Sequence, residues 1–386
     1  MKTYRLTAFL AFVFAFQVSA QTADLASAVA NGPQEVANEE NRQTKQATDD
    51  NSVFSFLNFS FIKKPLSFLG DSTSKKNDVQ EQTQTNETSA PQETPIERAT
   101  RLAEEGDVDA ALSLGYMYLY GQDGVESDYQ KSFHFYELAA AQNNVIALNN
   151  LGSLYFNGIG TNRDYKKAAE LFLKAAQNGS DDAAVNLGFI YLSTKKKEYF
   201  EPAVNLFEQA AKAGNNTAKF MLGYAYHKGF VVDKDNYKAL ELIKEASHAN
   251  FDEAHYVLAQ IYTAGEGTAQ NYTKAIKYYR AAVGQGHIES MLTLADIYAE
   301  GRMVPRSLGQ AYILYNIASV YGAPNADKKR DALGSALKLE ELLEAQNAAS
   351  QYKENPSELT TYIRQTFGTN IRRYIDDNLE KQGNQN

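Results

Sequence analysis

The sequence predicts an all-α protein, an α-solenoid of about six helix hairpins with helical caps, and three observations carry that prediction. The stretch from Val145 to Gly179 recurs five more times, with its apolar skeleton intact, at spacings of 35 to 37 residues. A self-similar period in that range marks a stack of supersecondary units, each burying its face against the next. Within the unit, Ala147, Leu151 and Tyr155 form one apolar stripe, and Ala168, Leu171, Phe172, Ala175 and Ala176 form another. Spacings of three and four residues place each stripe on one face of a helix. The second helix also carries its own punctuation. Asp128, Asp164, Asp235, Asn271 and Ser307 stand at its start, where a side-chain oxygen accepts from the free N–H groups of the first turn. Asn143, Gly179, Gly214, Asn250, Gly286 and Gly322 stand at its end, and these residue types enter the left-handed conformation most cheaply.

Taken in order, the chain opens with Lys2 and Arg5, an apolar run from Leu6 to Val18, and Val18-Ser19-Ala20. A basic start, a short apolar core and small residues at a cleavage point predict a signal peptide over residues 1–20, cut between Ala20 and Gln21. Residues 21–93 are rich in Gln, Asn, Thr, Ser and Glu and are expected to be a disordered linker. An apolar island at 53–70 interrupts it, VFSFLNFSFIKKPLSFLG. Such a segment suits peripheral contact with a membrane surface or a sheet edge, or folds back on the first hairpin. Residues 94–108 read as a capping helix, the second half of a hairpin whose first half is missing.

Six repeats follow over 109–326. Their first helices align Leu114, Leu151, Leu187, Leu222, Leu258 and Leu294, then a central small residue (Gly115, Gly152, Gly188, Gly223, Ala259, Ala295), then Tyr118, Tyr155, Tyr191, Tyr226, Tyr262 and Tyr298. A mid-helix glycine costs about 1 kcal/mol relative to alanine. Close approach of the paired helix is the expected reason, at Ala168, Ala203, Ala239, Ala275 and Ala311. Repeat 3 is the least regular, with Thr194 for the loop glycine, three lysines at 195–197 and Tyr199 at the cap position. It reads as a local weak point or, less favoured, a specialised contact. Residues 327–386 form closing helices, the last an amphipathic one beyond Pro356 with Leu359, Ile363, Ile371, Tyr374 and Ile375 among its apolar positions. A stripe so continuous requires a cover: the array's end, a second copy, or a partner.

The Leu, small-residue, Tyr, loop-glycine and paired-alanine columns resemble the Sel1-like repeat, a longer-looped relative of the tetratricopeptide repeat, over roughly residues 109 to 326. The resemblance implies a right-handed solenoid and a scaffold that binds a protein partner in envelope signalling, assembly or host contact. It also leaves an alternative, an envelope enzyme acting on cell-wall-type ligands, beside a membrane-associated assembly factor docking through 53–70.

The residues themselves offer little chemistry. The formal charge of −9 discourages nucleic-acid binding, and the absence of cysteine removes disulfides, thiolate metal sites and a cysteine nucleophile. The five histidines lack metal-ligand spacing, and no nucleophile motif occurs, so no catalytic, cofactor or metal residue is assigned. Sequons at Asn215 and Asn271 lie beside helix starts, where sugar is awkward, and this leans towards a bacterial periplasmic or secreted location. By analogy with tetratricopeptide solenoids, first-helix positions left free by packing should face the partner: Tyr116 and Tyr120, Asn149 and Ser153, Phe189, Phe220, Tyr224 and His227, then Tyr256 and Gln260. Phe189 and Phe220 read equally well as core.

Overall fold

A computed structural model describes residues 93–122 and 124–383, and among them every regular element is helical. The signal-peptide, linker and island expectations over 1–92 lie outside the described residues. The chain divides into two compact units, with the boundary between Ala184 and Val185.

The first unit opens with α1 (Pro95–Glu104), whose N-cap Thr94 and Glu97 bond reciprocally in a capping box. The cap is shorter than the expected 94–108, because α2 (Val108–Tyr120) already starts at Val108 under its own N-cap, Asp107. α2 pairs with α3 (Tyr129–Ala141), and α4 (Val145–Asn157) with α5 (Tyr165–Gln177). The second unit continues α6 (Asp181–Ser193) into α7 (Phe200–Lys212), and then pairs α8 (Asn216–Lys228) with α9 (Asn236–Ser247). α10 (Asp252–Ala264) pairs with α11 (Tyr272–Gly284), and α12 (Ile288–Glu300) with α13 (Leu308–Val320). Two closing helices, α14 (Ala326–Gly334) and α15 (Leu339–Ser350), pack on α13.

The punctuation read from the sequence is realised atom by atom. Oxygens of Asp128, Asp164, Asp235, Asn271 and Ser307 accept from the N–H three residues on, at 3.0, 2.9, 3.0, 2.9 and 3.3 Å. The same residues donate their own N–H to the carbonyls of Tyr118, Tyr155, Tyr226, Tyr262 and Tyr298, which closes each inter-helix loop. All six expected stop residues have positive φ. In four repeats a lysine three residues after the cap lies over the tyrosine ring: Lys131, Lys167, Lys238 and Lys274, at 4.9 to 5.0 Å from the centroid.

The central glycines do answer a close approach, but the neighbour differs from the expected alanine. A Cβ on Gly152 would lie 2.9 Å from the Phe172 ring, and one on Gly188 would lie 2.8 Å from Phe207. At these positions the glycine makes room for a ring one helical turn beyond the alanine column, and at Gly223 for Ile243. At Gly160, φ is +68° and a methyl group would collide with the backbone carbonyl of Tyr129, so that loop position excludes side chains on both counts.

Beyond Pro356 the single expected helix is two, α16 (Glu358–Phe367) and α17 (Arg373–Gly383), broken where Gly368 takes φ +86°. Seven non-helical residues, 351–357, join α15 to α16. No helix among the described residues is long and apolar enough to cross a membrane.

Candidate partner-binding face

The first-helix face expected to meet a partner behaves differently in the two units. In the first unit Tyr116, Tyr120 and Ser153 are half-buried, and the two tyrosine rings pack at 4.8 Å. Asn149, expected to be free, is buried, and its carbonyl accepts from Ser153 Oγ at 3.1 Å.

In the second unit the expectation of a solvent-facing aromatic surface is not met, because Phe189, Phe220, Tyr224 and Tyr256 are all buried. Phe220 belongs to the core, edge-on to Phe251 at 5.1 Å. The other three are covered by the chain's own C-terminal segment. Phe189 meets the Tyr374 ring at 5.0 Å, and Tyr224 donates its hydroxyl to both oxygens of Asp376 at 2.8 and 3.0 Å. Burial and the Asp376 carboxylate together raise the Tyr224 pKa. Tyr256 lies under the Arg372 guanidinium, 4.6 Å from the ring centroid. His227 and Gln260 remain half-buried beside this face, and His227 Nδ1 sits 3.3 Å from Glu266.

The segment enters where Asn355 N–H donates to the Gly284 carbonyl at 2.9 Å and Ser357 N–H to Gln285 Oε1 at 3.1 Å. It then crosses α10, α8 and α6, visiting repeats 5, 4 and 3 in reverse order. Ile363, Ile371 and Ile375 are its apolar anchors, each at most 1% exposed. Its far end ties down at repeat 3, where Asn378 Nδ2 donates to the Leu192 carbonyl at 3.1 Å and Lys195 pairs with Asp377 at 3.2 Å. The irregular repeat is therefore a specialised contact rather than a weak point.

The polar centre of the interface lies at the start of α10. Asp252 accepts from Arg364 at 2.6 Å and Glu253 from Arg372 at 2.6 Å, and both carboxylates are about 1% exposed. Burial alone would raise the Glu253 pKa, but Arg372 and His287 offset it and hold the carboxyl below its ordinary range. His287 stands 3.6 Å from Glu253; burial pulls its pKa down, and Glu253, Asp252 and Glu289 more than reverse this. Removing one partner of such a buried pair costs about 3–5 kcal/mol, because the other charge is stranded. Thr360 adds a bond of another type. The first-helix N-cap column reads Asp107, Asn144, Ser180, Asn215, Phe251 and His287, so only repeat 5 lacks a capping side chain. Thr360 Oγ1 takes that role by accepting from Asp252 N–H at 3.1 Å, and it donates to Gln285 Oε1 at 2.7 Å.

Carboxylates and a histidine thus do converge at one point, the arrangement an enzyme would need. Here both carboxylates are neutralised by guanidinium groups, and the whole cluster is sealed under the segment. Among the described residues no group of three potential ligands is placed to hold a metal ion.

Comparison with known proteins is consistent with the hairpin geometry. The Sel1 repeat pattern matches residues 108–144, 145–180, 182–215, 217–251, 252–287 and 288–319. The chain belongs to the Sel1 repeat family. A Sel1 repeat protein from Oxalobacter formigenes is 25% identical, with a TM-score of 0.52 over 58% of this chain and 90% of that one. A protective antigen of uropathogenic Escherichia coli displaying an SLR fold is 23% identical, with a TM-score of 0.48 over 71% of this chain and 66% of that one. The ERAD-associated E3 ubiquitin-protein ligase component HRD3B of Arabidopsis thaliana is 35% identical over 91 residues, 23% of this chain. That match spans only 14% of the HRD3B length.

Proposed function

We propose that this Sel1 repeat protein is an exported scaffold, periplasmic or secreted from a bacterial cell, that holds a protein partner on the inner helices of its array. The observation that carries the reading is the face formed by α6, α8 and α10, which already holds a peptide segment through ring contacts, isoleucine anchors and charge-matched pairs. A surface able to order one amphipathic segment in this way has the apolar anchors and polar rim of a binding site. Export rests on the basic, apolar and small-residue order of residues 1–20. Asn215 and Asn271 stand at helix N-caps, where a bulky glycan on the capping side chain is awkward, and this favours a location without glycosylation.

The reading is tested with the chain from Gln21 to Asn386 immobilised against envelope extract. A retained protein should rebind from purified components with saturable, stoichiometric heat in calorimetry, and failure of every retained protein to do so sinks the scaffold reading. Intact mass of the envelope-extracted protein should correspond to a start at Gln21, whereas a mass that includes residues 1–20 defeats the export proposal.

A further inference from the structure

We propose that the face formed by α6, α8 and α10 is a site for an amphipathic segment of a partner, carrying two arginines about eight residues apart beside branched apolar residues. Residues 352–383 occupy it as a competing internal ligand. The proposal rests on the scaffold reading above and names the chemistry of the partner and the control on its access.

Charge complementarity sets the requirement for arginine. Asp252 and Glu253 are buried side by side at the start of α10, and any occupant that failed to bring cations would strand two carboxylates out of water. The internal segment meets the need with Arg364 and Arg372, eight positions apart, and surrounds them with Ile363, Ile371 and Ile375. A guanidinium suits the site better than an ammonium, since it also stacks on Tyr256, as Arg372 does.

The internal fit is incomplete, and this makes exchange possible. Arg372 bonds Glu253 through a single contact, Nε to Oε2, and Glu253 Oε1 is buried with no hydrogen-bond partner. Asn378 Oδ1 is likewise buried and unmatched. A partner arginine that engaged both oxygens of Glu253 would gain a bond the internal segment forgoes. The tether also permits departure: the segment is joined through seven non-helical residues. Repeats 4 and 5 keep their own loop closures at Asp235 and Asn271, while α10 gives up one cap bond and the guanidinium partners of Asp252 and Glu253, which a partner's arginines would replace.

The test uses the chain from Gln21 to Asn386 and a fluorescein-labelled peptide with the sequence of residues 352–383. In the Arg364→Gln/Arg372→Gln chain the internal segment is weakened, so the peptide should bind at least tenfold tighter than to wild type. Adding Asp252→Asn and Glu253→Gln to that chain should remove the gain, and a peptide carrying Arg372→Gln should bind at least tenfold more weakly. Peptide that binds neither chain, or binding indifferent to the carboxylates, overturns the proposal. Should the loosened chain fail to fold, hydrogen exchange on wild type decides. Amides of α16 and α17 should exchange at least tenfold faster than those of α8 and α11, and equal protection would make the segment a permanent part of the fold and overturn the proposal. Peptide binding does not depend on whether an envelope partner is found, so failure of capture and failure of the groove are read separately. A reconstituted partner that binds the carboxylate variant as tightly as wild type overturns the groove while the scaffold reading stands.

Discussion

At the scale of single residues, the two most informative positions are a glycine and a histidine. Gly152 faces the Phe172 ring rather than Ala168, and this distinction can be measured. Gly152→Leu should destabilise the chain by about 1–3 kcal/mol through overpacking. Phe172→Ala should recover part of that loss when combined with it, whereas Ala168→Gly should not; denaturant melts of the three variants and wild type supply the comparison. His255 is 7% exposed, and burial lowers its pKa from 6.5 to about 4. The fold therefore prefers the neutral imidazole. Its contribution to stability is complete above about pH 6.5, where the unfolded histidine is also neutral, and is lost as the pH falls from there through about 4. Melts at pH 7, 5.5 and 4.5 should show this decline, and His255→Phe should flatten its share of the slope. A histidine-ring titration midpoint near 6.5 in the wild type would contradict the assignment.

At the scale of elements, the sequence was readable wherever a helix carries its own instructions. Outside repeat 3, where Tyr199 offers no cap, each second helix announces its start with Asp, Asn or Ser; all six announce their stop with Gly or Asn, and those short-range bonds appear as expected. The break at Gly368 was missed because the apolar stripe runs on through it, and stripe continuity outweighed one glycine. The docking of α16 and α17 was less legible for a different reason: an apolar stripe says that a face must be covered but not by what. The signal was present in an absence, Phe251 in a column of capping residues, followed by Asp252 and Glu253, which are costly to bury without partners. This gives an element-scale prediction. Thr360→Val keeps the shape of the side chain while removing the cap on α10 and the bond to Gln285. It should cost about 1–2 kcal/mol, as the loss of an N-cap does, and speed exchange at the Asp252 amide. An unchanged melting curve and unchanged exchange would mean that α10 needs no cap from the C-terminal segment.

At the scale of the whole molecule, a repeat array draws its stability from local hairpins and nearest-neighbour interfaces, so what lies outside the array is separable in principle. The capping box of Thr94 and Glu97 starts the helical part, with Thr94 N–H donating to Glu97 at 2.8 Å and Glu97 N–H to Thr94 at 3.2 Å. Ala99 and Ala103 of α1 are buried, as the last layer of a core must be, and Pro95 at the first helical turn leaves no N–H unsatisfied there. The array thus has a finished end at residue 94, and residues 21–92 contain no repeat column to extend it. Comparing the chain from Gln21 with one starting at Glu93 tests whether that end is complete. Helical signal per molecule should be unchanged and the midpoint of thermal unfolding should agree within about 2 °C, a shift corresponding to about 1 kcal/mol for an array of this size. A drop of 5 °C or more on deletion would show that the Phe54 to Leu69 island covers part of the array and belongs to the fold.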